Sequence, residues 1–108
     1  MTSQGSDTPE RTAVALAAPG RLTADQRVEF RQAVLEALDL AARRGADTVE
    51  VDLRATTEID ASGLGVLVLL QKRASEQRIT TRLTNAPRIV REMLEATRLG
   101  ALFEVAPS

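Results

Sequence analysis

The chain has 108 residues, with 14 Lys and Arg against 15 Asp and Glu for a formal net charge of -1, and it contains no Cys, His, Trp or Tyr. That length suits one domain with a core of its own, and the inventory excludes zinc sites, thiol chemistry and a Ser-His-Asp triad. With charges nearly balanced and only Phe30 and Phe103 as aromatics, there is neither a basic field for nucleic acid nor a platform for stacking bases.

Residues 1–10, MTSQGSDTPE, read as a disordered polar tail ahead of a domain over 11–108. They lack the positive start and apolar centre of a signal peptide. No apolar run approaches the roughly 20 residues of a membrane span, so the expectation is a cytoplasmic protein with no direct membrane insertion. Residues 12–17 read as a strand ended by the Pro19-Gly20 turn signal, and Arg21 and Leu22 as a brief second strand. Thr23 and Gln26 have capping-box spacing at the head of a helix over 24–44. Phe30, Val34, Leu38 and Ala41, with Ala33 and Ala37 beside them, give that helix one apolar face. Arg43 and Arg44 suit its negative end, and Gly45 suits the left-handed residue that closes it.

Residues 48–53 alternate Val49, Val51 and Leu53 with Glu50 and Asp52, the pattern of a strand with one buried face. A loop follows, and then a second helix from Ala61 to about Gln77. Residues 79–84, rich in β-branched side chains, read as a further strand. Asn85 is the expected cap of a third helix with Pro87 in its first turn. Ile89, Val90, Met93, Leu94 and Thr97 line one side of that helix, Gly100 is expected to close it, and ALFEV makes a terminal strand of about five residues. Strands alternating with helices predict an α/β domain with a mostly parallel sheet.

The stretch Asp60-Ala61-Ser62-Gly63 opens the most apolar segment of the chain. Asp60 is a strong N-cap candidate, able to accept from the backbone N–H of Ser62 or Gly63. Gly63 and Gly65 cost about 1 kcal/mol each in helix propensity. Two glycines there imply a close approach, either by the chain's own strand or by another molecule. Catalytic readings are poorer. The glycines lack the spacing of a dinucleotide fingerprint and no P-loop lysine follows. Glu58 and Asp60 have no substrate clamp nearby, and Ser62 at its strand-to-helix turn has no histidine to activate it. The expectation is a non-enzymatic chain without metal or cofactor.

Three ordered segments resemble the STAS domains, shared by bacterial anti-sigma factor antagonists and the cytoplasmic parts of sulphate transporters. They are VALAAPGRLTADQ, VEVDLRATTEIDASGLGVLV and TNAPRIVREMLEATRLGALFEV. The resemblance implies a small sheet of four to five strands with three or four helices mainly on one side. It also implies a partner-binding turn formed by Asp60, Ala61, Ser62, Gly63, Leu64 and Gly65.

In antagonists of this family, the hydroxyl residue after the signature Asp is phosphorylated by a kinase that is also an anti-sigma factor. Ala61 stands at that position and has no hydroxyl. Ser62, the alternative phosphorylation site, is turned by about 100° around the helix. The implied partner is a kinase-type anti-sigma factor or, as in other small STAS proteins, the ATPase of a bacterial lipid-trafficking ABC transporter. On this reading Leu64→Asp and Gly65→Arg should abolish partner binding with the fold intact, while Leu69→Asp should unfold the domain. Most of Val66 to Leu70 is expected to be core, with some of Leu67, Leu70 and Gln71 left for a partner. Arg88, Arg91 and Arg98 form a basic stripe whose plain reading is a solvated helix face.

Overall fold

The computed structural model describes residues 12–107, so the expected tail over 1–10 lies outside the described residues. Short apolar segments become strands: β1 (Ala13–Ala17), β2 (Arg21–Leu22), β3 (Thr48–Asp52), β4 (Glu58–Ile59), β5 (Thr80–Thr84) and β6 (Glu104–Val105). The helices are α1 (Arg27–Arg44), α2 (Ala61–Glu76) and α3 (Arg88–Thr97), with 3-10 turns at Ala24–Gln26 and Gly100–Leu102.

The main sheet has the order β1-β3-β5-β6 and is parallel throughout. Each crossover therefore steps in the same direction, and right-handed connections stepping one way place their helices on the same face. The strands agree with that layering. Val14, Val49, Val51 and Leu83 are buried on the helix side. The register row Ala15, Glu50, Arg82, Glu104 lies on the other. There Arg82 joins three strands, its Nη1 lying 3.3 Å from Glu50 Oε2 and its Nε 3.2 Å from Glu104 Oε1.

The apolar face predicted for α1 is the one that packs: Phe30, Val34, Ala37, Leu38 and Ala41 are buried. The helix rests on β1 and β3 and beside α2, which packs on β5. Gly45 ends α1 in the left-handed region at φ 69°, and the Ala46 N–H reaches back to the Ala41 carbonyl at 2.9 Å. Leu67, Leu70 and Ala74 carry α2 into the core. Leu67 and Leu70 are fully buried and so do not form part of an outer surface.

Several local expectations are corrected. The loop expected after β3 contains β4, which pairs in parallel with β2 in a separate two-stranded sheet, Arg21 opposite Glu58 and Leu22 opposite Ile59. Two residues are too short to leave a periodic signal. Asn85 does not cap α3. It adopts φ 53° and its Nδ2 donates to Asp52 Oδ1 at 3.1 Å, while Pro87 occupies the N-cap position. Bonds from Asn85 and from the Arg54 N–H hold the Asp52 carboxyl below its ordinary pKa of 3.8, the Arg54 bond being the larger cause.

On α3 only Val90 and Leu94 are buried, and Ile89 remains 42% exposed. The terminal strand is two residues, because 100–102 turn as a 3-10 helix first. Gly100 does not close α3; Arg98 does, at φ 59°. Its N–H bonds the carbonyls of Leu94 and Glu95.

A left-handed conformation crowds Cβ, and glycine relieves the crowding at some cost in unfolded-chain entropy. Arg98 is exposed. Arg98→Gly is therefore expected to raise stability by roughly 0.5–1 kcal/mol in urea unfolding. A loss of stability would show that the arginine side chain holds something the backbone geometry does not reveal.

Candidate functional site

The start of α2 is built around Asp60. Its backbone is extended, at φ -129° and ψ -174°, and its Oδ1 accepts from the N–H groups of Ser62 at 2.9 Å and Gly63 at 3.1 Å. That is the cap the sequence predicts. The second carboxylate oxygen does something local patterns do not show: Oδ2 accepts the N–H of Ala24 at 3.1 Å, across 36 residues. One carboxylate thus holds the start of α2 and the 3-10 turn that leads into α1. Charge-assisted bonds of this kind are stronger than those of a neutral hydroxyl. The expected Thr23 capping box does not form. Thr23 makes no side-chain cap bond, and its hydroxyl donates instead to the Asp25 carboxylate.

β2 and β4 fix this junction. The Asp60 N–H donates to the Leu22 carbonyl at 3.0 Å, extending the short pairing by one bond. Gly63 then sits directly on Leu22. A Cβ at Gly63 would lie 2.0 Å from the Leu22 carbonyl oxygen and 2.5 Å from its carbon, so any side chain there must displace backbone. Gly65 is different. A Cβ there meets nothing within 4 Å. The two glycines expected to permit a close approach therefore separate: Gly63 is explained by the chain's own strand, and Gly65 opens outward.

The predicted turn divides the same way. Ala61 and Gly65 are exposed and Asp60 and Ser62 half-buried, whereas Gly63 and Leu64 are buried, Leu64 at 6% exposure. Leu64 belongs to the core and presents no side chain to a partner. Leu69, expected to be core, is half-buried and lines a shallow concavity of about 490 Å³ between the starts of α1 and α2. Arg27 and Arg31 of α1 face Ala61, Ser62 and Gly65 of α2 across it. The sequence signal for these two arginines was available but unused: cations in the first turns of a helix oppose its dipole. Among the described residues no group of His, Cys, Asp or Glu is arranged to hold a metal ion.

A family model described as "Mlab, STAS domain" matches residues 6–104. The chain belongs to the STAS domain family. No curated protein sequence matches it significantly. Among solved structures, this STAS domain is similar to TM1081 of Thermotoga maritima, assigned as an anti-sigma factor antagonist, with a TM-score of 0.74 and 22% identity over 89% of this chain and 80% of that one. It is also similar to the anti-sigma factor antagonist SpoIIAA in its unphosphorylated form. There the TM-score is 0.69 and the identity 19%, over 94% of this chain and 86% of that one. At these identities the likeness is one of fold, and it agrees with the α/β layering, helices mainly on one side, that the STAS resemblance implies.

Burial reverses the mutational expectation for two leucines. Leu64→Asp would place a carboxylate in the core and is expected to leave the domain unfolded by circular dichroism, whereas Leu69→Asp should stay folded. The glycines give a matched pair in urea unfolding. Gly63→Ala should cost about 3 kcal/mol or more because backbone must move, and Gly65→Ala should gain up to about 1 kcal/mol from helix propensity alone. Equal effects at 63 and 65 would contradict the packing of Gly63 on Leu22.

Proposed function

We propose that this STAS domain is a non-enzymatic interaction module that docks on a kinase-type anti-sigma factor or related regulator through the exposed start of α2, without a phosphorylation switch. The observation that carries this is the state of the turn. Asp60 uses both carboxylate oxygens to hold backbone N–H groups, a structural role at the start of the helix. What faces outward is Ala61 and Gly65 with half-buried Leu69, a surface suited to contact rather than catalysis. The reading is supported by the resemblance to antagonists, which implies a partner-binding turn here and a phosphoacceptor at the position of Ala61, a residue with no hydroxyl to accept phosphate.

A second reading rests on that same residue. A STAS domain without a phosphoacceptor fits a permanent subunit, such as one seated on the ATPase of a lipid-trafficking ABC transporter. Co-purification separates the two: a histidine-kinase-like ATPase supports the first, and an ATPase with its own P-loop supports the second. The docking surface would be the same in both.

Gly65→Arg fills the open position of the turn without touching the core. It is expected to weaken partner binding by about 100-fold or more, equivalent to about 2.7 kcal/mol, with an unchanged circular dichroism spectrum. Wild-type binding by this variant would move the interface elsewhere. Incubation with the co-encoded kinase and ATP should leave the mass of the wild-type chain unchanged. A stoichiometric gain of one phosphate on Ser62 would overturn the unswitched reading.

A further inference from the structure

The concavity between α1 and α2 is unbalanced in charge. Arg27 and Arg31 line it together with Ala61, Ser62, Gly65 and Leu69, and no acidic side chain lines it. Neither arginine has an ion-pair partner among the described residues. In this they resemble Arg44, Arg73 and Arg91, while Arg21 pairs with Asp25 at 2.9 Å, Arg43 with Asp39 at 3.0 Å and Arg88 with Glu92 at 2.9 Å; what sets Arg27 and Arg31 apart is that they share one concavity. On the other side of α1, Arg27 and Arg31 also border a concavity that holds Glu36 and Asp39, where Glu36 accepts from Gln32 and Asp39 pairs with Arg43. Asp25 pairs with Arg21, Asp60 is bound by three N–H groups, and Glu29 does not line the concavity.

The two arginines also sit where a helix alone would not choose them. At i and i+4 they repel one another weakly, and in the first two turns of α1 they face the positive end of the dipole. Exposed arginines are commonly just solvated. These two stand beside a small-residue floor and half-buried Leu69, next to Val28, which is 74% exposed.

We propose that the partner of this STAS domain presents an acidic protein surface, with carboxylates for Arg27 and Arg31 beside an apolar side chain that covers Ala61, Gly65 and Leu69. The inference deepens the proposed function and rests on it. The guanidinium groups accept carboxylates in paired geometry. Their charge speeds encounter and excludes basic partners, while contact at Ala61 and Gly65 supplies the desolvated centre.

The test uses the full chain as bait in a lysate of its own organism, followed by purification of the ATPase it captures. Calorimetry then measures binding of that ATPase to wild type, Arg27→Glu, Arg31→Glu and Gly65→Arg, at about 50 mM and about 300 mM salt. Arg27→Glu and Arg31→Glu are each expected to bind at least about 10-fold more weakly with the fold unchanged, and wild-type affinity should fall about 10-fold across the salt range. A Glu→Lys or Asp→Lys change on the ATPase should recover binding to Arg31→Glu. If Gly65→Arg loses binding while both charge reversals bind like wild type, the acidic partner is overturned and the docking turn stands. If all three variants bind like wild type, or no ATPase is captured, the proposed function falls and this inference with it.

Discussion

The arrangement depends on one carboxylate. Asp60 gives one oxygen to the start of α2 and the other to the turn that opens α1, while its own N–H is held by Leu22. Without the carboxylate, two helix starts would each lack a charged acceptor, whereas the bond that continues the β2–β4 pairing comes from the Asp60 backbone. Gly63 belongs to the same knot. Because it has no Cβ, α2 can rest on the Leu22 backbone, and this brings the α2 start within bonding distance of Ala24. The signature Asp and the glycine three residues later are thus two halves of one packing solution.

From that solution follows the surface. Burying Gly63 and Leu64 against the core rotates Ala61 and Gly65 outward, because residues 61 and 65 share a helix face one turn apart. The concavity they line with Arg27 and Arg31 lies between the starts of the two packed helices, beside the Asp60 bonds. A structural acid and an interaction surface are therefore compatible in one short turn. The carboxylate holds backbone N–H groups, and the small residues around it are exposed beside it.

Much of the fold was legible because its signals are local. The apolar face of α1, the alternation of β3 and the left-handed Gly45 follow from spacing within a few residues. The alternation of strands and helices then implied a mostly parallel sheet. The misread features are those decided across the chain. Thr23 had the right spacing for a cap, but a carboxylate 36 residues away supplied the acceptor to Ala24. Asn85 was drawn to Asp52 on a neighbouring strand, and β4 exists only through its pairing with β2.

At the candidate site, Asp60 was read correctly as a cap, but only as half of what it does. The two glycines carried equal weight in sequence and separate only when Leu22 is placed against one of them. Leu64 and Leu69 were exchanged because one apolar helix residue looks like another until the neighbouring helix is known. Arg27 and Arg31 carry a local signal in opposing the helix dipole, and their shared concavity is defined only once α2 is in place.

The central claim is that Asp60 couples two helix starts, and amide hydrogen exchange in Asp60→Ala tests it most directly. The account predicts lost protection at Ser62 and Gly63 and, in the same variant, at Ala24 and the first turn of α1, with the sheet amides of β3 and β5 still protected. Faster exchange confined to the start of α2, with Ala24 as in wild type, would contradict it and reduce Asp60 to an ordinary cap of one helix.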